Sequence, residues 1–435
     1  MARVVFNRVA ILIKTRLWLI FYKSLTWFLL GLTFLFLPLL AMIKPKFAKW
    51  FRMRFLPSPV SKQPRLWVHA VSLGEIKIAL ALLEDCAGPD QLDQVLLTTS
   101  TQSGYQFLVE KMGREHVRYL PWDLGFCYRR LFGRHKVPHL VVVETEIWPN
   151  LFDFVARAGS KSVIVNARLS SKSLRLKNNP LFRWTLSRTA LIAARSELDR
   201  ERYLQFGLPP DKVMVTGNIK YDFKPRHPHD PMLVAWLDQD APLLIFASIS
   251  ADEAPMLAPQ ISRLLEAPEK PRILWAPRHL RSLENHMQAL AEHQPVLRSR
   301  LNTRLESRLV VLDTFGELAA SYHFGRVSLI GGSFNDRGGQ NFLESLQAGA
   351  PAMMGPATEN FKREVAEALE AKCIVQLEKP EDVAGAMLGL LRDYQALAQM
   401  SEHARTHLAG HTGAIARTTR VLVDSEMVDF KSEDS

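Results

Sequence analysis

The sequence predicts an α/β protein built from two parallel-sheet domains, and three observations carry this prediction. Short apolar runs alternate with helical stretches from Arg65 to Val215, and the alternation starts afresh at Leu243. The runs are too apolar for a half-exposed sheet, which indicates parallel strands covered on both faces by helices. Between the two series lies a polar, proline-rich stretch, 224–231, of the kind that separates domains.

Length and composition agree with two globular domains and point to an anionic partner. A chain of 435 residues exceeds one ordinary core, and 47% hydrophobic with 23% charged residues is typical of a folded protein. The 55 basic residues outnumber the 44 acidic ones and give a net charge of +11. Such an excess favours nucleic acid, an acidic membrane surface or a phosphorylated substrate, and composition does not choose among them.

Cysteine and histidine usage argues against disulfides and bound metal. Three cysteines occur without a CxxC pair, and none of the 13 histidines belongs to an HExxH motif. The sequence therefore predicts a chain without structural disulfides, catalytic metal or another bound cofactor.

Residues 1–55 predict a basic and hydrophobic membrane anchor. The segment 24–43 contains no charged residue and just reaches the roughly 20 residues with which a helix crosses the hydrocarbon core. Basic residues flank it on both sides, so the charges do not indicate an orientation in the membrane. The segment is predicted to span the bilayer or to lie on its surface, and a buried core helix is the alternative. Basic residues after the anchor would rest on anionic head groups and hold the next domain at the cytoplasmic face.

In the first domain, predicted at 56–223, charged residues recur where strands end. Glu75 follows the first strand, Glu144 and Glu146 follow another, and Arg168 and Lys220 follow two more. Ligands of parallel sheets bind beyond the carboxyl ends of the strands. Glu75 could therefore act as a general base on an acceptor hydroxyl, or simply complement a helix dipole. Arg168 could hold a carboxylate or phosphate by a bidentate contact.

The second domain, predicted at 241–425 after a linker at 224–240, contains a glycine-rich candidate for nucleotide binding. An apolar run ends in Gly331-Gly332, and Gly338-Gly339 precede a helix predicted to open at Asn341. Paired glycines let a backbone approach a ligand closely, and free N–H groups at a helix start attract an anion. A glycine-rich turn without a ligand is the alternative.

Four more residues of this domain suit a nucleotide. Glu344, about one turn inside the predicted helix, could accept hydrogen bonds from ribose hydroxyls. Arg278 ends a strand and suits a phosphate, and Gly316-Glu317 could offer backbone donors or a carboxylate to a base or ribose. A surface arginine and a first-turn helix acid are the plain alternatives. Residues 426–435 predict a flexible tail.

Two such domains facing each other across a cleft form the glycosyltransferase B-type fold, with the nucleotide in one and the acceptor in the other. Seven motifs, in order from about Arg65 to the C-terminal helices, closely resemble the 3-deoxy-D-manno-oct-2-ulosonic acid (Kdo) transferases of lipopolysaccharide assembly. These motifs are His69-Ala-Val-Ser-Leu-Gly-Glu75, Glu144-Thr-Glu-Ile-Trp-Pro-Asn150, Asn166-Ala-Arg-Leu-Ser170, Val215-Thr-Gly-Asn-Ile-Lys220, Pro277-Arg-His279, Asp313-Thr-Phe-Gly-Glu-Leu318 and Gly331-Gly-Ser333 with Gly338-Gly-Gln-Asn-Phe-Leu-Glu344.

The resemblance implies a metal-independent, inverting transfer of Kdo from CMP-Kdo to lipid A precursor, with release of CMP, at the cytoplasmic side of the inner membrane. Glu75 matches the family's catalytic base, and Glu144 and Lys220 match its transition-state stabilisers. The implied CMP-binding set is Pro277, Arg278, Phe315, Gly316, Glu317, Asn341, Phe342, Leu343 and Glu344. Further possible donor or acceptor contacts are Ser333, Gly338, Gly339, Gln340, Arg168 and Glu146.

The sequence departs from the family pattern at four places. Gln340 stands where the family commonly has histidine, the loop 247–253 lacks a Ser-Thr-His start, and Phe315 replaces a common methionine. The stretch Lys49-Trp-Phe-Arg-Met-Arg-Phe55 keeps only a trace of the family's tryptophan and arginine pattern and lacks its glycines. Two alternatives therefore stay open: a transferase of this fold that uses another CMP-linked acidic sugar or another lipid, and a catalytically silent membrane-anchored binding protein. A nucleic-acid partner is not expected, because the positive charge is concentrated near the anchor and no recognition motif occurs.

Overall fold

The computed structural model describes residues 2–43, 45–86, 89–223, 230–301 and 306–427, and these residues fall into two compact units. The first unit combines the described residues up to Ile219 with those from Gly413 onwards, and the second is Lys220–Thr412. The predicted end of the second domain at 425 is therefore wrong, because the last helix packs in the first unit.

The predicted linker at 224–240 is also too long. Residues 224–229 lie outside the described part of the chain, as does the predicted tail from 428 onwards. Pro231–Leu237, by contrast, forms a helix that buries Trp236 and Leu237 in the core of the second unit. Asp230 caps this helix, since its carboxylate accepts a hydrogen bond from the N–H of Leu233 at 3.0 Å.

Two helices precede the first sheet, α1 (Ala2–Ile43) and α2 (Pro45–Phe55). The predicted anchor segment is thus helical. Within the described residues, however, no helix combines the length and the apolarity that crossing a bilayer requires. The predicted single span is therefore not supported.

Tyr22, Trp27 and Leu30 are among the described side chains that attach α1 to the first unit. The hydroxyl of Tyr22 donates to Oδ2 of Asp123 at 2.7 Å, and the ring of Trp27 stacks on that of Phe126 with 5.7 Å between centroids. Leu30 is buried in a small cluster that includes residues of α2. These contacts use only part of the helix surface, and many large apolar side chains of α1 remain exposed.

The first unit contains a parallel sheet whose strands are β1 (Leu66–His69), β2 (Val95–Thr99), β3 (Val117–Tyr119), β4 (His139–Val143), β5 (Ser162–Ala167), β6 (Leu191–Ala194) and β7 (Val213–Val215). The strands lie in the order β3-β2-β1-β4-β5-β6-β7. The helices of this unit are α3 (Leu73–Cys86), α4 (Gln102–Met112), α5 (Gly125–Phe132), α6 (Pro149–Arg157), α7 (Ser171–Leu174), α8 (Pro180–Ser187) and α9 (Glu197–Leu204).

The second unit contains a similar parallel sheet, with strands β8 (Leu243–Ile249), β9 (Arg272–Pro277), β10 (Val296–Leu297), β11 (Leu309–Val311), β12 (Gly325–Ile330), β13 (Ala352–Met354) and β14 (Ile374–Gln376). Their order is β10-β11-β9-β8-β12-β13-β14. The helices of this unit are α10 (Pro231–Leu237), α11 (Ala254–Leu265), α12 (Leu283–Ala289), α13 (Leu318–Ser321), α14 (Leu343–Gln347), α15 (Lys362–Glu370), α16 (Val383–Arg392) and α17 (Tyr394–Ala409), and α18 (Ala414–Asp424) returns to the first unit.

Burial explains why these strands read as continuous apolar runs. Every residue of β1, β2, β5 and β6 is buried, because helices cover both faces of the sheet. The same holds for β11 and β13 in the second unit. The predicted parallel sheets with two covered faces are confirmed.

Each sheet has a point where the order of its strands reverses. In the first unit β1 lies between β2 and β4, and in the second unit β8 lies between β9 and β12. At such a switch point the connections leave on opposite sides of the sheet, and ligands bind beyond the carboxyl ends of the two strands. A ligand site is therefore expected at the loops that follow β1, β4, β8 and β12.

Candidate active site

Glu75 lies at the switch point of the first sheet, in the first turn of α3. Its Oε2 accepts a hydrogen bond from the N–H of Val71 at 2.8 Å, and its Oε1 accepts one from the hydroxyl of Ser72 at 2.8 Å. Ser72 in turn accepts from the N–H of Glu75 at 3.3 Å, so the pair caps the helix reciprocally. The carboxylate is half-buried, and burial raises its pKa.

Two further carboxylates lie near enough to Glu75 to affect its pKa. Glu144 and Glu146 follow β4, and their negative charges also act to raise the pKa of Glu75. The backbone of Glu144 has φ = 60°, a left-handed conformation that costs energy for a residue with a side chain. Burial raises the pKa of Glu146, whose Oε2 accepts a hydrogen bond from Nε1 of Trp148 at 2.9 Å. A carboxylate whose pKa is moved towards neutrality is the usual form of a general base.

Arg54 of α2 lies beside this group of acids, and the sequence did not single it out. Its guanidinium lies 4.2 Å from the ring centroid of Trp122 and 4.9 Å from that of Trp50, and its Nε donates to the carbonyl of Leu120 at 2.8 Å. The residue is 5% exposed, and its charge opposes the rise in the pKa of Glu146. The signal that could have identified Arg54 is the run of aromatic and basic residues after the anchor, Lys49-Trp-Phe-Arg-Met-Arg-Phe55.

Arg168 follows β5 and has no hydrogen-bond or ion-pair partner for its guanidinium among the described residues. Its backbone carbonyl accepts a hydrogen bond from the hydroxyl of Thr145, which connects its loop to the one that carries Glu144 and Glu146. The next residue, Leu169, donates its N–H to Asp199 at 2.9 Å. Arg168 is thus a half-buried cation on a fixed loop, as an anion site requires.

Lys220 is placed by the structure in the second unit. It lies in a 3-10 turn, Ile219–Asp222, and its Nζ is 6.0 Å from the ring centroid of Phe361. Its backbone carbonyl accepts a hydrogen bond from Nε2 of Gln347 at 2.8 Å.

Arg278 follows β9, directly after Pro277. Its backbone N–H donates to the carbonyl of Ile249 at 2.7 Å, which fixes it beside the end of β8. Although the residue as a whole is exposed, partial burial of the guanidinium lowers its pKa, and the nearby charge of Glu344 acts in the opposite direction. Arg278 and Glu344 therefore lie near enough for their charges to interact.

The loop after β11 presents an aromatic ring. Phe315 is 84% exposed, and Gly316 beside it has φ = 86°. Such exposure of a phenyl ring is costly in water and suits a stacking partner such as a nucleobase. Glu317 is less available than predicted, since its Oε1 accepts from Arg298 at 2.9 Å and its Oε2 accepts from the hydroxyl of Thr314.

The carboxylate of Glu253 occupies the switch point of the second sheet. It accepts hydrogen bonds from three successive backbone N–H groups after β12, those of Gly332, Ser333 and Phe334, at 2.6, 2.9 and 3.0 Å. We call these three groups the β12 amide nest. The N–H and hydroxyl of Ser250 donate to the same carboxylate at 3.0 and 2.7 Å. An anion of the protein thus fills the place where the sequence predicted a bound anion.

The predicted glycine cradle needs correction. Gly338 and Gly339 are buried, and a Cβ on Gly339 would meet Cε of Met354 at 2.9 Å. The N–H of Gly339 is used by the carbonyl of Gly332 at 2.6 Å. Ser333 is fully buried, and its hydroxyl donates to the carbonyl of Ile330 at 2.6 Å and accepts from the N–H of Gly355 at 2.8 Å. Close packing of the loop on its own chain, not access for a phosphate, explains these glycines.

The helix after the glycine loop also starts later than predicted. It begins at Leu343, so Glu344 is in its first turn and not one turn inside. Phe342 and Leu343 are fully buried in the core, which leaves only their backbone for any contact with a ligand. The side chain of Gln340 lies against Gly332, where a Cβ would meet its Nε2 at 2.9 Å. In the part of the chain that the structure describes, no cluster of three or more metal-ligating side chains occurs.

Comparisons with known proteins agree with this fold. The solved structure of a glycosyltransferase from Rickettsia africae superposes with a TM-score of 0.55 at 10% identity, over 86% of this chain and all of that one. A putative UDP-N-acetylglucosamine 2-epimerase from Listeria monocytogenes gives 0.56 at 12% identity, over 86% and 99%. Two parallel-sheet α/β domains of the glycosyltransferase B type therefore define the class of fold.

Sequence relatives identify the family. The family model of the 3-deoxy-D-manno-octulosonic-acid transferases (kdotransferase) matches residues 49–223. The transferase of that name from Bordetella pertussis is 31% identical over 85% of this chain and 88% of its own, and the one from Haemophilus influenzae is 28% identical over 93% and 98%. The chain belongs to the 3-deoxy-D-manno-octulosonic acid transferase family and is a glycosyltransferase, which confirms the resemblance drawn from the seven motifs.

Proposed function

We propose that the protein transfers Kdo from CMP-Kdo to a hydroxyl of a lipid A precursor, with release of CMP, in lipopolysaccharide biosynthesis. The observation that carries the proposal is the half-buried carboxylate of Glu75 at the switch point of the first sheet, with its pKa raised by burial. Family membership supports the transfer of Kdo, because relatives over most of the chain are Kdo transferases by name.

In the proposed reaction Glu75 removes the proton from the acceptor hydroxyl. The oxygen then forms a bond to the anomeric carbon of Kdo, while the bond from that carbon to the phosphate oxygen of CMP breaks. The electron pair of the broken bond leaves with CMP. Because the acceptor oxygen attacks from the face opposite to the departing CMP, the configuration at the anomeric carbon is inverted. Val71 and Ser72 hold the carboxylate through hydrogen bonds, which orients it for proton removal.

The second unit supplies groups that suit CMP. Arg278 provides a fixed cation for the phosphate, and Phe315 provides an exposed ring for the cytosine. Lys220 and Glu144 are assigned to stabilisation of the transition state on the basis of the family motifs. Glu344, in electrostatic contact with Arg278, remains the candidate for the ribose hydroxyls.

The test uses the purified full-length chain with CMP-Kdo and tetraacylated lipid A precursor in detergent micelles. Mass spectrometry of the lipid should show the addition of one or more Kdo residues, with CMP released in equal amount, and NMR of the product should show the inverted anomeric configuration. Turnover should persist with a chelator present. An unchanged lipid together with unchanged donor would rule out the proposal, and a product of different mass would identify another CMP-linked acidic sugar as donor.

We further propose that α1 and α2 bind the surface of the inner membrane on its cytoplasmic side. Large apolar side chains of α1 are exposed to an extent that a water-soluble surface rarely shows. They are Ile13, Leu17, Trp18, Ile20, Phe21, Leu25, Trp27, Phe28, Leu29, Leu32, Leu35, Phe36 and Met42. Exposed basic side chains accompany them and suit anionic head groups, and these are Lys14, Arg16, Lys23, Lys46, Lys49 and Arg52.

Flotation with lipid vesicles tests this surface. The protein should float with vesicles that contain phosphatidylglycerol and less well with vesicles of phosphatidylcholine alone. A variant with Lys46, Lys49 and Arg52 changed to glutamine should lose the preference for anionic lipid. Protein that stays at the bottom of the gradient with both kinds of vesicle would refute the membrane assignment without touching the proposed chemistry.

A further inference from the structure

We propose that Glu253 is a positioning residue for the nucleotide site, an internal carboxylate that permanently fills the β12 amide nest in place of a donor phosphate. The inference rests on the proposed function, since it concerns how that site holds CMP. Glu253 makes no contact with the reacting atoms in this account and acts only through the backbone that it holds.

The hydrogen bonds of Glu253 saturate its carboxylate. Four backbone N–H groups and one hydroxyl donate to its two oxygens at distances between 2.6 and 3.0 Å. The residue is 0% exposed, so water does not compete for these donors. Hydrogen bonds from neutral donors to a carboxylate are short and strong, and removal of the acceptor would leave several buried N–H groups unsatisfied.

The β12 amide nest also fixes the segment that precedes α14. The carbonyls of Gly332 and Gly331 accept hydrogen bonds from the N–H groups of Gly339 and Gln340, at 2.6 and 3.1 Å. These two residues directly precede Asn341, where the last segment of the implied nucleotide set begins. A Cβ on Gly331 would meet the carbonyl of Ser248 at 2.6 Å, so this end of β12 is pressed against the end of β8. A displacement of the nest would therefore displace the segment that carries Glu344.

The same geometry excludes a donor phosphate from the β12 amide nest. A helix start with free N–H groups can bind a phosphate, but here the three N–H groups already point at a carboxylate. A second anion at this place would meet a buried negative charge of the same sign. The donor phosphate is thus left to side-chain cations, of which Arg278 lies at the neighbouring strand end.

The test removes the carboxylate of Glu253 by mutation and supplies acetate as a small carboxylate in its place. Glu253→Ala empties the nest, and we expect its dissociation constant for CMP, measured by calorimetry without lipid acceptor, to rise about tenfold or more. Acetate at 100 mM should then occupy the nest, raise the melting temperature of the variant and restore CMP affinity, whereas chloride at equal ionic strength should do neither. Wild-type protein should show no such response to acetate.

Two further variants make the result decisive. Glu253→Gln keeps the shape but replaces one acceptor oxygen by a donor, so it should bind CMP weakly and gain nothing from acetate, because its side chain leaves no room. Glu266→Ala, at the exposed C-terminal end of the same helix, should behave as wild type. Wild-type CMP affinity in Glu253→Gln, or an Ala variant indifferent to acetate, would overturn the inference. A wild-type chain that binds no CMP would sink the proposed function instead, while the acetate effect on the melting temperature would still report on the nest.

Discussion

The two units each carry a Ser-x-x-Glu motif after the strand at the switch point, and the two glutamates have opposite surroundings. Ser72 and Glu75 follow β1, and Ser250 and Glu253 follow β8. In both motifs the serine hydroxyl donates to the glutamate, at 2.8 and 2.7 Å. Glu75 has one further donor and remains half-buried, whereas Glu253 has four further donors and is fully buried.

The difference shows how the same local pattern leaves a carboxylate accessible in one domain and encloses it in the other. A carboxylate with few donors, near other negative charges, holds its proton more readily and can exchange it with a substrate. A buried carboxylate that accepts five hydrogen bonds has no free acceptor position for a substrate and instead holds the backbone groups that donate to it. Three of the five donors come from residues about 80 positions away in the chain, so the fold and not the motif decides how enclosed the carboxylate is.

The largest effect should come from the half-buried glutamate. Glu75→Gln keeps the shape of the side chain but cannot take a proton, so kcat should fall by about 10²- to 10⁴-fold. The dissociation constant for CMP should not change, because the nucleotide groups lie in the other unit. The measurement is the initial rate of CMP release at saturating donor and acceptor. A variant with more than a tenth of the wild-type rate would remove Glu75 from the role of base.

Arg278→Ala should give the next largest effect, and it addresses the second unit. Loss of the fixed cation should raise the dissociation constant for CMP by about 10- to 100-fold, as expected for a charged hydrogen bond. Calorimetry with CMP and with cytidine separates the phosphate from the base, since cytidine affinity should be unaffected. Arg326→Ala, an exposed arginine at the start of β12, is the matched control. Equal losses for CMP and cytidine would contradict the phosphate assignment.

Phe315→Ala tests the exposed ring with a somewhat smaller expected effect. Loss of stacking on the base should weaken the binding of CMP and of cytidine alike, by about 1–3 kcal/mol. The melting temperature should stay constant, because the ring is 84% exposed and contributes little to the core. Unchanged cytidine affinity would show that Phe315 faces another group.

The smallest effect concerns the carboxylates around Glu75. Glu146 raises the pKa of Glu75, so Glu146→Gln should lower that pKa and move the acidic limb of the kcat/KM profile to lower pH. The sign follows because the base must be ionised, and removal of a neighbouring negative charge makes ionisation easier. The check is the profile of both proteins between pH 4 and pH 8, roughly the range in which perturbed carboxylates titrate. An acidic limb that stays in place or moves to higher pH would show that Glu146 does not raise the pKa of the catalytic base.

Some parts of the fold and site were predictable from the sequence because they depend on local pattern. Continuous apolar runs gave the buried parallel strands, and the residues directly after them gave Glu75, Glu144, Glu146, Arg168 and Arg278. These predictions required only the period of the pattern and the direction of parallel strands. The roles of Arg278 and Glu344 in CMP binding were implied only by the family motifs and remain predictions.

Other parts depend on contacts between distant segments, and there the sequence misled. The glycines at 338 and 339 looked like a cradle for a phosphate, but they are buried against residues 354–360. The last helix looked like the end of the second domain, yet α18 packs in the first unit. Arg54 and Glu253 were overlooked as site residues, because partners such as Leu120 for Arg54 and Gly332 for Glu253 lie tens of residues away.

The sequence by itself determined the two parallel sheets, the family and the set of charged residues at the strand ends, because each follows from local periodicity or from motifs in order. Only the tertiary structure decided which of two identical Ser-x-x-Glu motifs keeps its carboxylate available and which has it enclosed by backbone N–H groups. The physical reason is that burial and the number of donors set the state of a carboxylate, and both are properties of the packed chain.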